Sequence, residues 1–323
     1  MDSVVRRRDA RLEAGAAFVA SQRQNGSAAP CPPEVADPFP GLAGQLPQIG
    51  ASELDLSHLA GGLYHHGALI VRGLMNTSTT RQFREDIDEL LVQADRFFRA
   101  VQKENDPHLR GANGNVAEDW FSPPNIQSEN LTMNAVRMMH RTGSVWTFLS
   151  PIVAEKLMRF FEDTHLKPML REYFSEDPCL SFLKSVLRRV EPLPHKAEWH
   201  QDGAFMAGDI KSLNLWIALT ECGEGTSSPG MDLIPKRLNE VIPETGENGA
   251  AFEWSVSQKT VNEKYSDCPA TRPHFDAGDA VFIDHYNVHA TSSGSTFTDP
   301  RYAIETWFFG ASSYARNQIP IAW

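Results

Sequence analysis

Apolar positions along the 323-residue chain change their period near residue 180. Upstream the spacing is helical. Over residues 79–101, Phe83, Ile87, Leu90, Leu91 and Ala94 recur three and four apart, and residues 151–174 form a second such run. Ser150 and Pro151 open that run as a cap and a first-turn proline. An apolar stretch bounded by glycines, residues 64–74, reads as a short strand after a turn. Downstream of Leu180 the runs shorten and turns crowd in. Residues 181–191, 213–221, 231–234, 252–256, 280–284 and 302–309 are strand candidates, and a series of short strands at close spacing predicts an all-β sandwich or barrel. The expected layout is helical support over about 79–175 and a β core over about 180–310.

Residues 1–50 hold a piece with some helical character. Then come Pro30, Pro32, Pro33, Pro38, Pro40 and Gly41, a density of breakers that excludes regular structure. This segment reads as a flexible arm or tail, and residues 51–323 as one domain. Between the two helical runs, residues 106–127 are polar and rich in Gly, Asn and Pro; a loop of that length suggests a lid. The aromatic end, residues 307–323, is a candidate pocket wall.

Composition narrows the partners. A net charge of -11 offers no basic face for phosphates, which excludes nucleic acid and favours a small-molecule substrate. No run of about 18 apolar residues is present to span a bilayer. Cys31, Cys179, Cys222 and Cys268 show no paired spacing, and the first residues have no signal-peptide core, so a reducing, cytoplasmic setting is expected.

The chemistry concentrates in Glu198-Trp199-His200-Gln201-Asp202. On a strand, residues i and i+2 point the same way, so His200 and Asp202 can reach one ion together. His289 ends a later apolar run and supplies a third ligand; His285 competes for that role with the same strand parity. Two imidazoles and a carboxylate on one face of an ion are the set that holds non-haem Fe(II). Arg137, His140 and Arg141 precede the second helical run and are candidates for an anionic group, and His65 and His66 for the mouth of a pocket. Arg188 or Leu187, on the strand before the motif, is a further candidate. Gln201 points away from its neighbours unless the strand ends there.

The ordered set His200-Gln201-Asp202, His289 and Arg301 resembles the phytanoyl-CoA dioxygenase-like family of Fe(II)/2-oxoglutarate-dependent dioxygenases, over about residues 64–309. Leu215-Trp216-Ile217-Ala218-Leu219 is similar to its tryptophan-bearing strand, and Gly278-Asp279-Ala280-Val281-Phe282 to its lead into the distal histidine. Residues 228–237 match only loosely, without the usual Gly-Ser-His. The resemblance implies a mainly β fold with flanking helices around a double-stranded β-helix, the jelly roll of cupins. It implies Fe(II), 2-oxoglutarate and O2, with ascorbate as a reductant. His200, Asp202 and His289 would be the metal and catalytic residues, and Arg301, Thr291 and Trp216 would bind the co-substrate, the guanidinium forking onto its distal carboxylate. Gln201, Arg137 and His140 are the substrate-binding candidates.

The implied reaction is hydroxylation of an unactivated C–H bond with release of succinate and carbon dioxide. Asp202 favours this over halogenation, where a small residue makes room for chloride; desaturation, epoxidation and cyclisation would use the same ligands. A cupin-type zinc hydrolase or isomerase, or a non-catalytic binding protein, would also fit a barrel. A hydrolase has no use for Arg301 as a co-substrate clamp, and the intact His200, Asp202 and His289 speak against a non-catalytic relic.

Overall fold

A computed structural model describes residues 4–23, 29–105, 118–126, 128–192, 198–206 and 209–323, with the backbone alone at 102–105. The β core is a jelly roll of two main sheets, and its strands are positioned by strict alternation of apolar side chains. In Ala68–Arg72, Leu69 and Val71 face a helical layer while Ala68 and Ile70 face the interior of the roll. Ala280–Ile283 repeats the division, with Phe282 outward and Val281 and Ile283 inward. In Ser212–Ala218, Leu215 and Ile217 meet the helices and Trp216 and Ala218 the interior. Both faces are covered, which is why these strands carry so few polar positions.

The larger sheet runs Gln48–Gly50, Ala68–Arg72, Ala280–Ile283, Ser212–Ala218, Arg301–Gly310 and Pro178–Val190; the last strand also pairs with Ser144–Trp146 and Pro320–Ile321. Its pairings are antiparallel apart from the first. The smaller sheet runs Met231–Leu233, His289–Thr291, Trp199–His200 and Ser255–Val256. Met231 and Leu233 from it share an apolar cluster with Ile70, Trp216 and Val281 from the larger one, so the two sheets pack face to face.

The helical run from residue 79 appears as Thr77–Asn105. The run expected over 151–174 is two helices, Pro151–Asp163 and Leu166–Phe174, because His165 takes a left-handed conformation between them. Ser150 caps the first of these, as its position before Pro151 predicts. Tyr64 to His66 are not strand: they finish the helix Leu56–His66, which Gly67 ends at a φ of 79° before the strand begins at Ala68. The helix Met133–Arg141 and the strand Ser144–Trp146 are among the elements that the apolar pattern does not predict. Of the candidate lid, residues 106–117 and 127 lie outside the described residues; Phe121, within it, is buried against Phe97 and Phe98. The first residues do not form an arm. Val4–Gln22 is a helix with Arg8, Leu12, Gly15 and Val19 buried against the rest of the protein. Among the described residues no helix is long and apolar enough to cross a membrane.

Candidate metal centre

His200 ends its strand and His289 begins another, and the two are direct partners in the antiparallel ladder. Their rings lie 4.3 Å apart, and with Asp202 they bring ligand atoms within 4.8 Å of one another. Asp202 arrives by a different route from the one strand geometry predicts. The strand stops at His200, and Asp202 sits in the turn leading to the short helix Gly203–Met206, where its Oδ2 lies 3.5 Å from His289 Nε2. Gly203 is needed there: a Cβ would stand 2.7 Å from Val241 Cγ2 and 3.0 Å from the His285 carbonyl.

The backbone orients both imidazoles in the same way. Nδ1 of His200 lies 3.2 Å from the Glu198 carbonyl, and Nδ1 of His289 3.2 Å from that of Asn287. A ring that donates through Nδ1 keeps Nε2 as a lone-pair ligand. Burial, and then the neighbouring His289, pulls the His200 pKa down to about 4, so the ring is neutral near pH 7. Burial would push the Asp202 carboxyl up, but Lys184, His289 and His200 outweigh it and hold the group below its ordinary range. The cluster therefore offers two imidazoles and one carboxylate, a donor set that suits Fe(II).

A cavity of about 360 Å³ opens on the three candidate ligands. Arg301 lines it, fully buried, with Nη1 donating to the Gly230 carbonyl at 2.8 Å and its charge 5.5 Å from the Trp216 ring centre. Its Nε has no partner within the protein, and burial lowers its pKa to about 10, which leaves it charged at neutral pH. A buried guanidinium with an unused donor is suited to an anion. Thr291 and Trp216 line the same cavity. So does Arg188, bonded through Nε (2.9 Å) and Nη2 (2.6 Å) to Glu305 across the sheet, whereas Leu187 turns into the apolar core.

The cavity also holds a cation that sequence reasoning missed. Lys184 Nζ lies 2.5 Å from Asp202 Oδ1. Residues 181–184 are extra to the ladder: Thr306 pairs with Ser185, yet Phe308 pairs with Leu180. A bulge re-aims side chains and breaks alternation, which is why the face of this strand could not be read from sequence. Glu305 was missed as well; its signal is a lone acid in an otherwise apolar run.

The remaining candidates fall elsewhere. Gln201 is buried as a cross-link, donating to the Glu240 and Tyr286 carbonyls and accepting from Ile242 N, so it fixes the turn and does not face the cavity. Arg137 lies over the Phe98 ring and His140 near Asp95 and the Leu91 carbonyl; Met139 is the residue of that helix that lines the cavity. Arg141 is exposed at the helix end. His65 and His66 tie down the proline-rich segment, against the Val35 carbonyl and Asp37. His285 is bonded to Ser212, which settles its competition with His289. In the aromatic end, Trp307 bonds Glu305 behind the cavity and Trp323 packs on Phe161 and Phe308.

A jelly roll that presents a metal-ligand cluster and a buried cation between its sheets is the architecture of the Fe(II)/2-oxoglutarate-dependent oxygenases, and the chain is an enzyme of that superfamily. Residues 63–301 match the phytanoyl-CoA dioxygenase (PhyH) family model, and the chain belongs to that family. Fe(II), 2-oxoglutarate and O2 are its cofactors. Among solved structures, the non-haem α-ketoglutarate-dependent carbocyclase SnoK from nogalamycin biosynthesis is similar at 17% identity and a TM-score of 0.52, over 84% of this chain and 89% of that one. EctD from S. alaskensis, solved with 2-oxoglutarate and 5-hydroxyectoine, is similar at 13% identity and a TM-score of 0.50, over 79% of this chain and 76% of that one. At these identities the likeness is one of fold. No curated protein matches the sequence.

Proposed function

We propose that this enzyme hydroxylates an unactivated C–H bond of a small organic molecule, with Fe(II) held by His200, Asp202 and His289 and 2-oxoglutarate anchored by Arg301. The observation that carries the reading is the meeting, in one cavity, of two imidazoles with Nδ1 already engaged, a carboxylate and a buried guanidinium with a spare donor. Bound there, Fe(II), 2-oxoglutarate and O2 supply the oxidising power, and the co-substrate leaves as succinate and carbon dioxide.

The protein's part is placement and exclusion. Arg301 offers the charge and Nε that a distal carboxylate needs, with Trp216 beneath and Thr291 beside it in the cavity wall. Lys184 engages Asp202 Oδ1 and leaves Oδ2, on the His289 side, for the metal. Arg188 and Glu305 neutralise each other, so neither competes for the co-substrate. Leu183, Val186, Met139 and Trp146 line the cavity with apolar surface that keeps water from the reacting carbon. A carboxylate at position 202, where a halogenase would need a small residue to make room for chloride, favours hydroxylation over halogenation.

The test is anaerobic Fe(II) and 2-oxoglutarate binding, followed by succinate release in air and ¹⁸O2 labelling of the product. Absence of metal binding and of succinate would overturn the reading. A product without added oxygen would overturn hydroxylation alone.

A further inference from the structure

Phe205 follows the ligand turn and stands between two spaces. One side lines the 360 Å³ metal cavity; the other lines an adjoining cavity of about 660 Å³, together with Asp209, Ser312, Arg316 and Asn317. Trp254 leans on Phe205 with ring centres 5.1 Å apart, and Phe252 stacks on Trp254 at 5.0 Å with the planes only 4° from parallel. Phe205 and Trp254 both meet the His200 ring in T-shaped contacts, with ring centres 6.1 and 5.7 Å away, so this aromatic step is continuous with the candidate metal centre. Among the described residues six large hydrophobic side chains are exposed, and two of them, Phe205 at 36% and Phe252 at 53%, belong to the step. Exposed aromatics scattered singly need no explanation; a stacked series at the lip of a reactive cavity does.

The metal cavity, at about 360 Å³, stands at the lower end of the range for ligand pockets. Ligand pockets span about 300–1,000 Å³, and 2-oxoglutarate must occupy part of these 360 Å³. The space left beside it suits the reacting end of a substrate, and the cavity opens past Phe205 toward the larger one.

We propose, on the basis of the oxygenase reading above, that Phe205, Trp254 and Phe252 are the specificity platform of the enzyme and that its substrate carries a flat aromatic ring system, laid on the step with its reacting carbon over the metal. Ring faces favour offset-stacked or edge-on aromatic partners, which a saturated body of equal size cannot reproduce.

The probes are 2-naphthol and its saturated counterpart decahydro-2-naphthol, whose affinities are measured by calorimetry on the full chain, with and without Mn(II) and 2-oxoglutarate. The aromatic probe is expected to bind at least about 3-fold more tightly. Trp254→Ala and Phe252→Ser should each weaken it about 2- to 10-fold, with the saturated probe unchanged within about 2-fold and Trp254→Phe retaining the preference. Phe252 is half exposed, so its replacement keeps the platform testable should Trp254→Ala fail to fold. Equal affinity for the two probes, or indifference to both replacements in folded protein, overturns the platform. Metal and co-substrate binding without ring preference would sink the platform alone, whereas ring preference without metal binding would sink the oxygenase reading alone.

Discussion

Lys184 and Arg301 are both cations in one small cavity, but their surroundings give them different work. Lys184 has a carboxylate 2.5 Å away, on a proposed ligand, so its charge is spent on holding Asp202 Oδ1. Partners of metal ligands typically contribute about 10- to 100-fold to metal affinity. Lys184→Met should therefore weaken anaerobic Fe(II) binding by about that factor, with Lys184→Arg recovering part of it; an unchanged affinity would reduce Lys184 to a wall residue. Arg301 has no carboxylate of its own and keeps Nε in reserve. Arg301→Lys retains the charge and loses the fork, so 2-oxoglutarate should bind about 10- to 100-fold more weakly while Fe(II) affinity stays the same. Equal loss of both would mean that the arginine supports the fold and not the co-substrate. That His200, Asp202, His289 and Arg301 meet in one cavity was legible because each sits in a short ordered pattern. The place of Lys184 was not, since the bulge at residues 181–184 hides which way that strand faces.

The elements owe their positions to turns as much as to strands. Gly278-Asp279, noticed as a family-like doublet, does no chemistry in the cavity. The Asp279 carboxylate accepts from Gly73 N at 2.8 Å, Asp276 N at 2.9 Å and Arg72 at 2.5 Å, which ties two neighbouring strands of the larger sheet at one end. Gly278 makes the approach possible: its φ is 104°, and a Cβ there would lie 2.0 Å from the Met75 carbonyl oxygen. Gly278→Ala should cost at least about 2 kcal/mol, from left-handed strain and the displaced backbone, visible as an earlier urea midpoint. Fe(II) affinity per folded molecule should hold, because no ligand touches this turn. The longer core strands were legible as short apolar runs, with ends within a few residues, whereas Gln48–Gly50, Ser144–Trp146 and Pro320–Ile321 were not. The break at His165 was not legible either, because the apolar spacing runs through it and only the backbone turns left-handed.

At the scale of the whole molecule, the least legible part was the beginning. The breakers after residue 29 suggest a loose arm. Yet the helix Val4–Gln22 closes over the far end of the chain. Gly15 seats against the Pro320 backbone so closely that a Cβ would stand 2.4 Å from its carbonyl oxygen, and Ala322 N bonds the Arg11 carbonyl at 2.9 Å. Val19 joins the apolar cluster around Trp307 and Phe309, which backs the wall carrying Glu305. These partners are some 300 residues away, and local spacing holds no trace of them. Arg8 is the buried anchor, 3% exposed, donating to the Ser122 carbonyl at 2.5 Å and the Phe148 carbonyl at 2.9 Å. Burial lowers its pKa while the adjacent Asp9 carboxylate opposes that. Arg8→Ala removes two charge-assisted hydrogen bonds and leaves two carbonyls to find water, at a cost of roughly 2–4 kcal/mol. Urea unfolding of the full chain should show that loss, and Glu13→Ala on the exposed face of the same helix should change stability by less than about 0.5 kcal/mol. Equal stability of Arg8→Ala and the parent would mean that the helix rests on the fold without holding it.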